Sequence, residues 1–255
     1  MEKQTTYWLL FCGSRLLLKH DNHRYELPVG QCPSDNVEPA EWRLPDVLAY
    51  SCEIAESHPI PEGYCLVGLR ESYDVLSAED YRLAGRIAEL HYWNRNTRFC
   101  PVCGSRMQRI EAIHKQCPQC RKHLFPAITP AILVLIHRGD DEILLVHARN
   151  FKGTFYSLVA GFLEAGETLE ECVAREVAEE TGLTITDIRY FGSQPWPYPS
   201  NLMVGFTARY VSGQVHLQDS ELSAGKFYSR HDLPELPRPL SLARRMIDAW
   251  LDRQC

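Results

Sequence analysis

No stretch of this 255-residue chain stays apolar for long. The longest aliphatic run, residues 131–136, has six residues, whereas a bilayer-spanning helix needs about 20. Near the N-terminus, residues 7–12 (YWLLFC) are apolar, but Gly13, Ser14 and Arg15 follow at once and no small-residue cleavage pattern appears. A cytoplasmic protein that neither crosses nor anchors in a membrane is therefore expected. Internal repeats and low-complexity tracts are missing, so neither a solenoid nor a disordered linker is expected. An excess of positive charge is missing as well. Lys and Arg number 27 against 33 Asp and Glu, a net charge of −6, which argues against a protein that coats duplex DNA.

The charge is unevenly placed. Between His91 and His123 seven basic residues (Arg95, Arg98, Arg106, Arg109, Lys115, Arg121, Lys122) face one acid, Glu111. This +6 window leaves −12 for the rest of the chain, so a basic module is embedded in an acidic protein. Any single one of these charges reads as part of a solvated face; taken together they are expected to offer a landing site for phosphates.

Ten cysteines might suggest a disulfide framework, but their spacing does not. Cys12, Cys32, Cys52, Cys65, Cys172 and Cys255 are scattered and read as small buried hydrophobes or idle thiols. The other four form CPVC (100–103) and CPQC (117–120), two knuckles separated by thirteen residues. Cys100, Cys103, Cys117 and Cys120 at this spacing match a tetrahedral Zn²⁺ site. Four thiolates leave no open position for a reacting water, so this metal is structural.

The texture of the chain divides it into three parts. Residues 1–76 carry short apolar runs broken by turns and predict a β-rich domain. A helix capped by Ser77, with Asp80 three residues on, predicts a lead-in to the cysteine module over 77–123. Residues 124–255 alternate strands and helices: a hairpin over 127–149 turning at GDD, a strand over 154–162, a helix over 169–181, a strand over 203–211 and a helix over 241–251. The fold class expected is α+β.

The strongest signal is GFLEAGETLEECVAREVAEETGL (161–183). Thr168 and Glu171 form a capping box, Gly182 supplies the left-handed stop, and Leu169, Cys172, Val173 and Val177 make an apolar stripe. Glu176, Glu179 and Glu180 stand at i, i+3 and i+4, a placement that costs roughly 0.2–0.5 kcal/mol per like-charged pair. A solvated acidic face would account for any two of them. Three, preceded by Arg175 and a glycine loop carrying Glu167, call for a compensating hard cation, Mg²⁺ or Mn²⁺, shared with substrate phosphates. The chemistry so implied is attack of water on a phosphoanhydride.

This segment matches the Nudix hydrolase signature at every fixed position. Together with the β-rich N-terminal part, the four-cysteine ribbon and SQPWPYPSN (193–201), it resembles the bacterial NADH pyrophosphatase, or NAD-capped RNA hydrolase, family. The resemblance implies a C-terminal Nudix α/β/α sandwich with a mixed sheet, a homodimer, one structural zinc and a catalytic Mg²⁺ or Mn²⁺. It implies cleavage of NAD(H) to a nicotinamide mononucleotide and AMP, and removal of the NAD cap from RNA to leave a 5′-monophosphate. By position, Glu176, Glu179, Glu180, Glu221 and the Ala160 carbonyl resemble the metal site, and Glu167 with Arg175 the ion pair bracing loop to helix. Gln194, Pro195, Trp196, Pro197, Tyr198, Pro199, Ser200 and Asn201 resemble the substrate-recognition segment, with Arg70, Glu111, Phe125 and Ala243 as further contacts. Tyr198 stands where the array more often has phenylalanine, and Phe125 where tyrosine is expected. Glu180 and Glu221 are both candidates for the general base.

The prolines make 193–201 a stiff, extended segment that no core strand would accept, here read as a wall presenting Trp196 or Tyr198 to a base or nicotinamide ring. Two other functions stay open. One is hydrolysis of ADP-ribose or another nucleoside diphosphate derivative, because the box sets the reaction and not the leaving group. The other is a non-catalytic zinc-ribbon RNA-binding or nucleotide-sensing protein, against which the intact acidic cluster argues.

Overall fold

A computed structural model describes residues 5–22, 24–151 and 153–253. Cys255 lies outside them. The chain forms two compact units. The first takes residues 1–127 and 197–200, the second residues 128–196 and 201–255. Among the described residues no helix is long and apolar enough to cross a membrane.

In the first unit the apolar runs become strands because β-branched and aromatic residues are separated by turn residues. These are β1 (Thr6–Cys12), β2 (Arg15–Asp21), β3 (Arg24–Glu26), β4 (Ala40–Arg43), β5 (Leu48–Glu53) and β6 (Tyr64–Gly68). They lie in the order β3-β2-β1-β5-β4, with β6 also on β2. Gly13, at φ +59°, makes the β1–β2 turn. Helix α1 (Ala78–Asn96) begins where expected, with the Ser77 hydroxyl accepting from the Asp80 N–H at 3.0 Å. Strands β7 (Gln108–Glu111), β8 (His114–Gln116) and β9 (His123–Leu124) form the small sheet of the cysteine module. Its apolar core is limited to Cys100, Met107 and Cys117, with Leu124 against them.

The second unit contains β10 (Thr129–Arg138), β11 (Glu142–Ala148), β12 (Val159–Phe162), α2 (Leu169–Thr181), β13 (Thr184–Trp196), β14 (Asn201–Ser212), β15 (Leu222–Ser229) and α3 (Leu242–Leu251). The sheet order is β13-β14-β10-β11-β15, with β10 and β14 parallel and the other neighbours antiparallel. β12 pairs with the first half of β10. Strand alternation sorts the core into two layers. Ile132, Val134, Ile136, Leu144 and Val146 face Cys172, Val173 and Val177 of α2. Leu133, Leu135, Ile143 and Leu145 face Leu242, Met246, Ile247 and Trp250 of α3. This is the expected three-layer sandwich with a mixed sheet. Each fully buried valine on α2 contributes about 1.5–3 kcal/mol to seating the helix.

Two local expectations change. The strand expected over 154–162 is regular only from Val159. Before it the Tyr156 N–H goes to the Glu235 carbonyl and Ser157 makes a lone bridge with Val146. The proline segment is not one extended piece. Ser193, Gln194, Pro195 and Trp196 end β13, and 197–200 form a tight turn back into β14. Pro195 sits opposite Leu202 in a strand at the sheet edge, where a missing N–H costs no inner ladder bond.

Candidate functional site

The site is built on α2 and the glycine-rich turn before it. Thr168 and Glu171 close a complete capping box. Gly182, at φ +69°, ends the helix in the left-handed conformation. Arg175 then acts as a hub. Its guanidinium donates to Glu167 Oε1 at 2.5 Å and Oε2 at 3.0 Å, to Glu176 at 2.9 Å, to Glu179 at 3.0 Å and to the Phe162 carbonyl at 3.1 Å. Two-point donation to a carboxylate is the strong form of this pairing. It holds the Glu167 carboxyl at about 2, with the Glu164 N–H adding to the effect. The bracing ion pair is therefore present, and it ties the loop to the helix.

The three helix glutamates are not equivalent. Glu176 and Glu180 are buried, while Glu179 is exposed and held by Arg175. The Glu176 carboxylate rests on β12: a Cβ placed on Gly161 would lie 1.9 Å from Glu176 Cδ. Any larger residue there would have to push the Glu176 carboxylate aside. Burial raises the Glu176 carboxyl despite Arg175 beside it. Glu180 goes further, to about 8, first through burial and then through the Glu221, Glu176 and Glu179 carboxylates around it.

Glu180, Glu221 and Ala160 line one cavity of about 300 Å³, together with Val146, Arg149 and Phe151. The loop carrying Glu221 is pinned to the end of α2, where the Gln218 N–H donates to the Glu180 carbonyl at 3.0 Å. Glu180 Oε2 is buried with no hydrogen-bond partner, and such an atom is costly unless an ion or water meets it. Two carboxylates lining one cavity, one of them with an orphaned oxygen, suit a hard divalent cation. The residues present fit that group. Among the described residues, however, only the four cysteines bring three or more possible ligand atoms within 4.8 Å of one another.

That second cluster fits zinc closely. Cys100 Sγ lies 3.5 Å from Cys120 Sγ, and Cys103 Sγ lies 3.4 Å from Cys117 Sγ. Thiolates about 2.3 Å from one ion stand about 3.8 Å apart. Backbone N–H groups of Val102 and Cys120 point at sulfurs, at 3.4 and 3.5 Å. Lys115 anchors the module to α1, donating to the Asn94 and Thr97 carbonyls at 2.9 and 3.1 Å.

Comparison with known proteins supports the same division. Residues 127–251 match the NUDIX domain, and residues 95–125 match the NADH pyrophosphatase zinc ribbon domain. A curated protein of Haemophilus influenzae, NAD-capped RNA hydrolase NudC, is 36% identical over 96% of this chain and 93% of its own length. The chain belongs to the NudC family. A Pseudomonas aeruginosa member, also called NAD-capped RNA hydrolase NudC, is 40% identical over 80% of this chain and 73% of its own. A Nudix hydrolase structure from Nitrosomonas europaea, 19% identical, superposes with a TM-score of 0.52 over 62% of this chain and 92% of that one. It supports the fold alone. Family membership makes the chain a Nudix pyrophosphohydrolase with a zinc ribbon, and the Nudix domain implies a divalent cation.

The other candidate residues are placed as follows. Gln194 donates to the Leu240 carbonyl at 2.9 Å, and Trp196 and Asn201 close β13 against β14. Pro197, Tyr198, Pro199 and Ser200 belong to the first unit. There Pro197 packs on Gly85 of α1 and Ser200 donates to the Ala127 carbonyl. Tyr198 is half-buried: its hydroxyl meets that of Tyr81 at 2.5 Å, and the Arg70 guanidinium lies 4.7 Å from its ring centre. Burial and Tyr81 push the Tyr198 phenol well up. The hydroxyl that distinguishes it from phenylalanine is thus used within the protein. Glu111 is exposed at the end of β7, and Phe125 is exposed and stacked on His114 with ring centres 4.8 Å apart. Ala243 is buried in the α3 layer.

Sequence reasoning missed three residues. Phe162 is 55% exposed although its carbonyl serves Arg175. Its place inside the glycine-started box was the available signal. Phe151 stacks on Phe155 at 4.5 Å and lines the cavity. Tyr81 reads in the sequence only as one more helix residue.

Proposed function

We propose that this chain hydrolyses the diphosphate bond of NAD(H), giving a nicotinamide mononucleotide and AMP, and removes NAD caps from RNA to leave a 5′-monophosphate. The reading draws its substrate from the names of the curated relatives. The observation that carries its chemistry is the buried, partnerless Glu180 Oε2 facing Glu221 across a shared cavity. We further infer Mg²⁺ or Mn²⁺ as the cation, a homodimer as the working form and the cytoplasm as its place.

Glu176, Glu179, Glu180, Glu221 and the Ala160 carbonyl would hold the cation. When bound, it neutralises charge on the phosphoryl oxygens and favours ionised carboxylates around it. The remaining work falls to the protein. Arg175 fixes Glu176 and Glu179, and the Gly161 backbone leaves room for Glu176. Burial raises the basicity of Glu180, so its carboxylate, when kept ionised beside a cation, is suited to accept a proton from water at Oε2. The water oxygen bonds to one phosphorus, the bridging P–O bond breaks, and the bridging oxygen leaves on the other phosphate. Rings such as Trp196 or the exposed Phe162 offer faces to the bases, each stack being worth about 1–3 kcal/mol.

Turnover of NADH, ADP-ribose, diadenosine tetraphosphate and NAD-capped RNA, measured side by side with Mg²⁺ or Mn²⁺, tests the substrate. NADH and the capped RNA should be cleaved with the higher kcat/KM. Equal or faster cleavage of ADP-ribose would replace this reading with the general nucleoside-diphosphate one.

A further inference from the structure

The cavity that holds Glu180 and Glu221 has one basic residue among its described lining, Arg149. It stands just past the end of β11, at a point where the chain touches the Glu221 loop twice. Its backbone N–H donates to the Glu221 carbonyl at 2.8 Å, and its Nε donates to the Asp219 carbonyl. These bonds use the backbone and the inner nitrogen of the guanidinium. Among the described residues the outer two nitrogens have no hydrogen-bond partner and the side chain makes no ion pair. It is exposed, although the Glu180 and Glu221 carboxylates line the same cavity.

A guanidinium fixed at Nε is already oriented, so its outer N–H groups lose little freedom when they bind. They carry positive charge at the rim of a cavity whose other charged groups are acids. A planar donor pair of this kind fits phosphoryl oxygens in two-point geometry. Arg175, the other arginine of the site, is committed to Glu167, Glu176 and Glu179.

We propose that Arg149 is a substrate-binding residue of this cavity: its outer guanidinium nitrogens grip a phosphoryl oxygen of the diphosphate. Pinning by the Asp219 carbonyl holds it in place. This rests on the diphosphate-hydrolase reading of the site but not on NAD as the substrate.

The test is titration of ADP, a bare nucleoside diphosphate, into Mg²⁺-loaded full-length protein, comparing wild type, Arg149→Ala and Arg149→Lys. Loss of one charge-assisted contact predicts about tenfold weaker ADP binding for Arg149→Ala, with Arg149→Lys keeping most of the affinity. Mn²⁺ affinity without nucleotide, read by electron paramagnetic resonance of the free ion, separates this from bracing of Glu221. A phosphate-binding arginine leaves Mn²⁺ affinity unchanged or raised in Arg149→Ala, because a nearby positive charge is gone. Unchanged ADP affinity, no measurable ADP binding by the wild type, or a fall in Mn²⁺ affinity that matches the fall for ADP would each overturn the proposal. NADH turnover by the wild type is followed separately. Its absence with ADP binding intact would refute the NAD reading alone.

Discussion

At Gly161 the missing side chain is the functional feature. The Glu176 carboxylate occupies the space a Cβ would take, and Arg175 restrains it from one side. Gly161→Ala must therefore displace Glu176 more than the backbone. Misplacing a reacting group by about 1 Å can cost roughly a hundredfold in rate, while overpacking costs about 1–3 kcal/mol. The variant is expected to lose activity by that order, with only a modest shift in its urea midpoint. Near-normal turnover would mean that Glu176 has no role in the site.

Glu180 makes a second prediction at this scale, in pH. Its folded pKa, about 8, is raised above that of an unfolded carboxyl, which lies near 4.3. Between those values the folded protein binds the extra proton, so the stabilising contribution is present at low pH and lost as pH rises towards 8. Without added divalent cation, wild type should lose urea stability relative to Glu180→Gln between about pH 5 and pH 8. Saturating Mg²⁺ should oppose the loss, since a cation favours the ionised form. Parallel pH profiles for the two proteins would contradict this. Chain order reveals that Glu176, Glu179 and Glu180 share a helix face. It does not reveal that Glu176 folds back on Gly161, that Glu179 stays outside with Arg175, or that Glu180 is the more deeply buried of the other two. Those differences come from what packs on each carboxylate, which sequence spacing does not carry.

Among the elements, α2 was legible to its last residue because both ends carry their own chemistry, Thr168 with Glu171 at one and Gly182 at the other. The strand at 154–162 was only half legible. Its early residues bond to the loop at Glu235, a partner about eighty residues away that local alternation does not announce. The prolines of SQPWPYPSN predict a single extended piece outside any strand, but proline is barred from inner strands and not from edge ones. Half of it is an edge strand, and the other half is a turn fastened to Tyr81, Arg70 and Gly85.

The zinc ribbon gives a prediction at the same scale. The module has four apolar residues for a core, only Leu124 of them within its three strands, too few to hold a fold without a metal. Removing zinc with a chelator should expose the amides of β7, β8 and β9 to hydrogen exchange. The amides of α2, seated on a full core, should stay protected. Protection of β7–β9 in zinc-free protein would refute a structural role for the metal.

For the whole molecule, net charge argues against duplex coating, no helix among the described residues is long and apolar enough to cross a membrane, and motif order points to the family. Identity over 96% of the chain agrees with that assignment. What composition left open was how acidic and basic regions divide the work. Glu180 of α2 and Glu221 line one cavity, whereas the ribbon's +6 window belongs to the first unit. Its contribution to a capped RNA would be electrostatic and would fall with salt.

The central claim is that this cavity cuts a dinucleotide diphosphate through Glu180. Its most direct test is product analysis of NADH incubated with wild type or Glu180→Gln in Mg²⁺ or Mn²⁺. The account predicts equal amounts of AMP and reduced nicotinamide mononucleotide from wild type. It predicts a loss of at least about a hundredfold in rate for Glu180→Gln, the scale of a general base. Intact NADH with wild type, or undiminished cleavage by Glu180→Gln, would contradict it.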